Sequence, residues 1–184
     1  MNVYDFDGTI YDGDSTVDFY LFALGQHPGL VRYLPGQIRA MVLYAFKKLD
    51  KTAMKQGFFS FLKGIPTEET VESFWKGHSG KLRPWYLAQR QDTDVIISAS
   101  PEFLLEPICR QLNVRLLASR VEPETGVFRG KNCRGAEKLR RFRQAFPDEP
   151  IHRFYSDNPS DAPMAESARQ AFLVQKGTPK PWGE

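Results

Sequence analysis

The chain has 184 residues, of which 41% are hydrophobic and 26% charged, with a mean hydropathy of -0.44. That profile gives one or at most two folded domains and excludes a disordered chain. A net charge of +3 is too small to call for nucleic acid, and no apolar run nears the roughly 20 residues a membrane-spanning helix needs. Residues 1–5 lack a charged region followed by an apolar stretch, so no signal peptide is expected and the cytoplasm is the expected compartment. Two cysteines, Cys109 and Cys133, make no disulfide framework and read as free thiols. The charge is uneven, however. Residues 27–64 carry seven basic side chains against one acid, Asp50, which suggests an anionic partner or a solvated helix face.

Residues 2–6 read as a strand. From 14 to 80 the pattern is helical: Leu34, Ile38, Met41, Val42, Ala45, Phe46 and Leu49 recur at three- and four-residue steps. A second stripe, Met54, Phe58, Phe61, Leu62 and Ile65, ends near Gly64 to Pro66, and a third carries Val71, Phe74 and Trp75. Residues 94–98 form a short continuous apolar run, as in a strand buried on both faces, and Ser100-Pro101 reads as the cap and first turn of a helix running to about 112. Strands are expected over 114–117 and 118–128, around the turn Pro123-Glu124-Thr125-Gly126. A helix follows over 134–146, a strand over 151–155, a short helix over 163–168 and a last strand over 171–174; residues 176–184 read as a loose tail. Alternating strands and helices imply an α/β, Rossmann-like three-layer sandwich with a mostly parallel sheet. The expected division is a core of residues 1–13 and 81–184, with a helical cap, 14–80, inserted after the first strand.

Parallel sheets bind ligands at the carboxyl ends of their strands. Here those ends carry Asp5 and Asp7, then Ser98 and Ser100, then Asp157 and Asp161. Carboxylates gathered on one rim repel one another unless a cation intervenes, and oxygen ligands suit a hard cation such as Mg²⁺. His27, His78 and His152 show no ligand spacing.

Asp5-Phe6-Asp7-Gly8-Thr9-Ile10 resembles the first motif of the haloacid dehalogenase superfamily. Val95-Ile96-Ile97-Ser98 resembles the second, and Tyr155-Ser156-Asp157-Asn158-Pro159-Ser160-Asp161 the fourth. Lys131 and Lys138 are the candidates for the third-motif lysine, with Gly135-Ala136-Glu137-Lys138 close to the form seen in the phosphoserine-phosphatase-like subfamily, and Arg134 competing for the same task. The resemblance spans residues 2–174. It implies a Mg²⁺-dependent phosphatase in which Asp5 is the nucleophile that forms an aspartyl-phosphate and Asp7 the general acid and base. It also implies that Asp5, Asp157 and the backbone carbonyl of Asp7 hold the metal, and that Asp161 holds a metal-bound water or the lysine. Ser98, the backbone N–H groups near Gly8 and Ala99, and Lys138 would bind the phosphoryl group.

Within that subfamily, phosphoserine phosphatase carries a carboxylate-binding cap arginine where an ungapped register puts Phe58. Its Ser-Gly-Gly is Ser98-Ala99-Ser100 here, and its glutamate for the substrate ammonium is matched by Asp14. Without the arginine clamp phosphoserine is disfavoured. The chain looks more like the C-type phosphatidylglycerophosphate phosphatases. A basic, aromatic cap suits a phosphate on an apolar or lipid body, with peripheral contact to an anionic membrane at the inner face. A small sugar, polyol, choline or amino-acid phosphate, a phosphotransferase, and a non-enzymatic scaffold are the alternatives, and the oligomeric state is open.

Overall fold

Side chains alternate across a strand, so a strand covered on both faces must be apolar at successive positions. In β1 (Asn2–Tyr4), β2 (Val95–Pro101) and β4 (Ile151–Ser156), Val3, Val95, Ile97 and Phe154 point to one face and Tyr4, Ile96 and Tyr155 to the other. The computed structural model describes residues 1–183. With β3 (Arg115–Ser119), β5 (Ala168–Gln175) and β6 (Thr178–Pro181), the strands form one sheet in the order β3-β2-β1-β4-β5-β6, parallel except for the antiparallel β5–β6 pair. Stacked rings of Tyr4, Tyr155 and Phe172 run across three adjacent strands at 4.8 and 4.7 Å.

Helices cover both faces. Tyr86 of α5 (Pro84–Gln89) and Leu104, Leu105 and Ile108 of α6 (Glu102–Gln111) pack on the Tyr4 face. Phe142 of α7 (Ala136–Ala145) and Met164 of α8 (Ala162–Glu166) pack on the Val3 face. The expected three-layer α/β sandwich is the fold found.

Between β1 and β2 lie α1 (Ser15–Gln26), α2 (Leu34–Ala45), α3 (Lys51–Phe58) and α4 (Thr67–His78). Phe19, Phe59, Phe61, Phe74 and Trp75 join the same buried cluster as Tyr4, Phe6 and Ile96. The Trp75 indole N–H donates to the Leu104 carbonyl at 2.6 Å, tying α4 to α6. The helical segment therefore shares the sheet's core on this side. No helix among the described residues is long and apolar enough to cross a membrane.

Three local expectations are corrected. Ser100-Pro101 does not open α6: β2 runs through Pro101 and the helix begins at Glu102, because the Ser100 hydroxyl is engaged by Asp7. Residues 118–128 form no long strand; β3 ends at Ser119 and the return is a single Val121–Phe128 bridge. Gly126 turns there at φ +75, where a Cβ would strike the Phe59 backbone. The tail is not loose: β6 adds to the sheet edge, where proline is tolerated, and Trp182 packs on the core, while Glu184 lies outside the described residues. The α2 stripe, read from sequence only as a helix signal, faces outward, with Leu34, Ile38, Met41, Val42 and Phe46 all exposed.

Candidate active site

The carboxyl ends of β1, β2 and β4 converge because these three strands are neighbours at the sheet centre. Asp5 follows β1 and still donates its backbone N–H to Tyr155 at 2.8 Å, which fixes its position; only 8% of its surface is exposed. Its Oδ1 accepts from the Phe6 N–H and lies 2.8 Å from Lys138 Nζ. The same ammonium reaches Asp161 Oδ2 at 2.6 Å. Asp161 is itself held by the Ser156 hydroxyl at 2.9 Å and the Gly135 N–H at 3.1 Å.

A lysine this buried needs counter-charge. Burial alone would lower its pKa, but Asp5 and Asp161 outweigh burial and hold the ammonium protonated. Burial raises Asp5 above the usual carboxylate range despite Lys138. Of the two lysine candidates, then, Lys138 stands beside Asp5. Lys131 lines a separate cavity of about 640 Å³ with Arg120, Arg129 and Arg140.

Asp7 projects from the loop after β1. Its Oδ1 accepts from the Ser15 N–H at 2.6 Å, and its Oδ2 accepts from the Ser100 hydroxyl at 2.5 Å. Burial, aided by the nearby Asp14 charge, pushes Asp7 up to about 6, so this carboxyl can both give and take a proton near neutrality. Asp157 donates its N–H to the Thr9 hydroxyl at 2.9 Å, and burial together with the Asp5 charge pushes it up to about 6. Gly8 has φ +67, and a Cβ there would strike the Asp157 carboxylate. The Gly8 N–H donates to the Gly13 carbonyl at 2.8 Å.

Ser98 is fully buried and its hydroxyl accepts from the Ser100 N–H at 3.0 Å. Between Ile97 and Pro101 the β2–β3 register slips, which turns Ser98, Ala99 and Ser100 toward the rim. These residues line a cavity of about 590 Å³ with Asp5, Asp7, Gly8, Lys138, Asp157 and Asp161. Asp14 and Phe58 line it too. Asp14 also caps α1 by accepting from the Val17 N–H, and Phe58 packs on Tyr20 and Phe61. Arg134 is another lining residue, although its guanidinium donates to Ser160.

Two contributors, Lys55 and Thr16, escaped the sequence reading of the site. Lys55 of α3 reaches over the cavity, donating to the Ala99 carbonyl at 2.9 Å and Asn132 Oδ1 at 3.3 Å. Burial lowers its pKa, while Asp7, Asp14 and Asp5 pull the other way. Thr16 joins the Ser100–Asp7 chain at 2.9 Å, and Ser156 braces Asp161. Lys55 sits in no motif; only its place among seven basic residues marked it. No three His, Cys, Asp or Glu side chains among the described residues converge at metal-ligand spacing. The set expected for Mg²⁺ contains two carboxylates and a backbone carbonyl.

A parallel α/β sheet whose central strand ends carry carboxylates around a buried lysine places these groups at an open, half-exposed cavity where such sheets bind ligands. The chain belongs to the haloacid dehalogenase-like hydrolase family, whose model matches residues 3–166. Protein CicA of Caulobacter vibrioides is 30% identical over 96% of this chain and 86% of that protein. The fold is shared with a Bordetella pertussis protein of unknown function at TM-score 0.73 and 21% identity, over 94% of this chain and 88% of that one. It is also shared with a phosphoserine phosphohydrolase-like protein from Francisella tularensis, at TM-score 0.61 and 18% identity, over 95% and 88%. A phosphoserine phosphatase captured as a phospho-aspartyl intermediate analogue aligns at TM-score 0.56 and 16% identity, over 93% and 84%.

Proposed function

We propose that this chain is a phosphatase, a phosphomonoester hydrolase that works through an aspartyl-phosphate on Asp5. The observation that carries the reading is the buried Lys138 ammonium 2.8 Å from Asp5 Oδ1 at the base of the cavity. Family membership supports it.

In the first half-reaction the Asp5 carboxylate attacks phosphorus and the bond from phosphorus to the ester oxygen breaks. Protonated Asp7 gives its proton to the departing alkoxide. In the second half, ionised Asp7 takes a proton from water as the water oxygen attacks phosphorus, releasing phosphate and restoring the Asp5 carboxylate. Lys138 offsets the Asp5 charge so that an anion can approach. The Ser98 hydroxyl and the Ala99 N–H hold phosphoryl oxygens. Asp161 keeps Lys138 in place.

The donor chemistry fits Mg²⁺. Asp5, Asp157 and the Asp7 carbonyl are hard oxygen donors that would hold it, and burial together with the Asp5 charge raises Asp157, a cost that bound positive charge would relieve. When bound, Mg²⁺ supplies positive charge against the phosphoryl oxygens. The helical segment over residues 14–80 acts as the cap. Its Val17, Met54 and Phe58 offer an apolar wall, and its Lys51 and Lys55 offer cations. That lining favours a phosphate on an apolar or lipid body over a small amino-acid phosphate.

The test is phosphate release by the wild type and Asp5→Asn, with and without Mg²⁺, from soluble phosphomonoesters and from micellar lipid phosphates. The expected result is release that needs Mg²⁺, falls at least about a thousandfold in Asp5→Asn, and is faster for the micellar set. Undiminished release by Asp5→Asn overturns the mechanism, and a preference for soluble esters overturns the substrate class.

A further inference from the structure

Helix α2 is built the opposite way round from a core helix. The side it presents to the protein carries Gln37 and Ala40. Gln37 is buried: its Oε1 accepts from the Tyr20 hydroxyl at 2.8 Å, and its Nε2 donates to the Phe58 carbonyl at 2.9 Å. Ala40 packs against Gly57, where there is no room for a Cβ. Rotating the helix to bury its apolar stripe would orphan the Gln37 amide and the Tyr20 hydroxyl, so the outward orientation is set by hydrogen bonds.

The outward side is Leu34, Ile38, Met41 and Val42, continued by Phe46 just past the helix end. Their exposures are 37, 53, 49, 47 and 73%. Folded monomers rarely leave so many large apolar side chains in one stripe; such patches mark interaction surfaces. The charge around the stripe selects the partner. No Asp or Glu occurs from Phe19 to Leu49, whereas Arg32, Arg39, Lys47 and Lys48 do. A second copy of the chain would bring four like charges against these four. An anionic bilayer complements both features, taking the apolar face among its acyl chains and the cations among its headgroups. Val17 and Leu21 of α1, the helix tied to α2 through Tyr20–Gln37, are exposed as well, and Val17 is also a wall of the site cavity.

We infer that the outward face of α2 docks on an anionic lipid surface. The inference stands apart from the Asp5 chemistry, since no residue of the outward α2 face lines the site cavity.

The test is flotation of the full chain with vesicles of phosphatidylcholine alone and of phosphatidylcholine mixed with phosphatidylglycerol, at low and high salt. Retention is expected on the mixed vesicles at low salt, falling as salt rises. Two paired variants, Ile38→Asp with Phe46→Asp and Arg39→Glu with Lys48→Glu, should each lose about tenfold or more in retention. The milder Ile38→Gln with Phe46→Gln pair guards against misfolding, read from an unchanged cooperative unfolding transition. Failure of the wild type to float with the mixed vesicles overturns the inference, as does undiminished retention of the folded variants. A wild-type dimer in sedimentation equilibrium that the Ile38 and Phe46 pair dissociates also overturns it, assigning the face to a second copy.

Discussion

Helix α2 and the stretch from Phe58 to Leu62 lie side by side and share a spacing of apolar residues, yet they meet opposite fates. Phe59, Phe61 and Leu62 are buried against Phe19, Phe74 and the sheet, while Leu34, Ile38, Met41 and Phe46 face out. The difference lies in what is opposite each stripe. Phe61 finds aromatic rings at 4.8 Å from Tyr20 and 6.2 Å from Phe19. Helix α2 finds the Tyr20 hydroxyl and the Phe58 carbonyl, polar groups that need Gln37. Hydrophobic periodicity says that a face will be covered; the neighbours decide by what.

The comparison can be broken from the inside first. The site pairs the buried Lys138 with Asp5 and Asp161, whereas α2 leaves its apolar groups uncovered. Lys138→Met would leave Asp5 and Asp161 buried without their cation. It should destabilise the fold by about 3–5 kcal/mol, read from the urea midpoint, and abolish phosphate release. If the variant is as stable as the wild type, the triad is not the internal support described here.

Truncation at matched positions sharpens the contrast. Phe61→Ala should cost about 3–4 kcal/mol through a cavity in a filled cluster. Phe46→Ala should stay within about 0.5 kcal/mol, because its ring already faces water. Thermal and urea unfolding of the two variants measure this, and equal losses would show that α2 is covered in solution.

A further small effect is electrostatic. Arg140 and Arg141 hold Glu137 at about 2, below its ordinary range. A lowered carboxylate pKa contributes stability that is fully present above the unfolded value, roughly 4.3, and is lost as pH falls toward the folded value. Glu137→Gln should therefore cost less than about 1 kcal/mol at neutral pH, with the difference from wild type vanishing between about pH 4 and 2. A difference that persists at pH 2 would mean the side chain matters by packing alone.

The sequence by itself determined the alternation of strands and helices up to residue 174, apart from the return over 118–128, together with the doubly covered sheet and the carboxylates on its rim. The short apolar run Val95–Ile97 marks a strand covered on both faces, and Asp5, Asp7, Asp157 and Asp161 follow expected strands by position alone. Only the tertiary structure shows which of Lys131 and Lys138 stands beside Asp5, since seven residues of chain separate them and helix α7 turns just one of them onto it. It alone brought Lys55 over the cavity and drew the Ser100 hydroxyl to Asp7 rather than to the start of α6. It alone turned the α2 stripe outward. These outcomes share one cause: each depends on a hydrogen-bond or charge partner far away in sequence, and periodicity carries no information about distant partners.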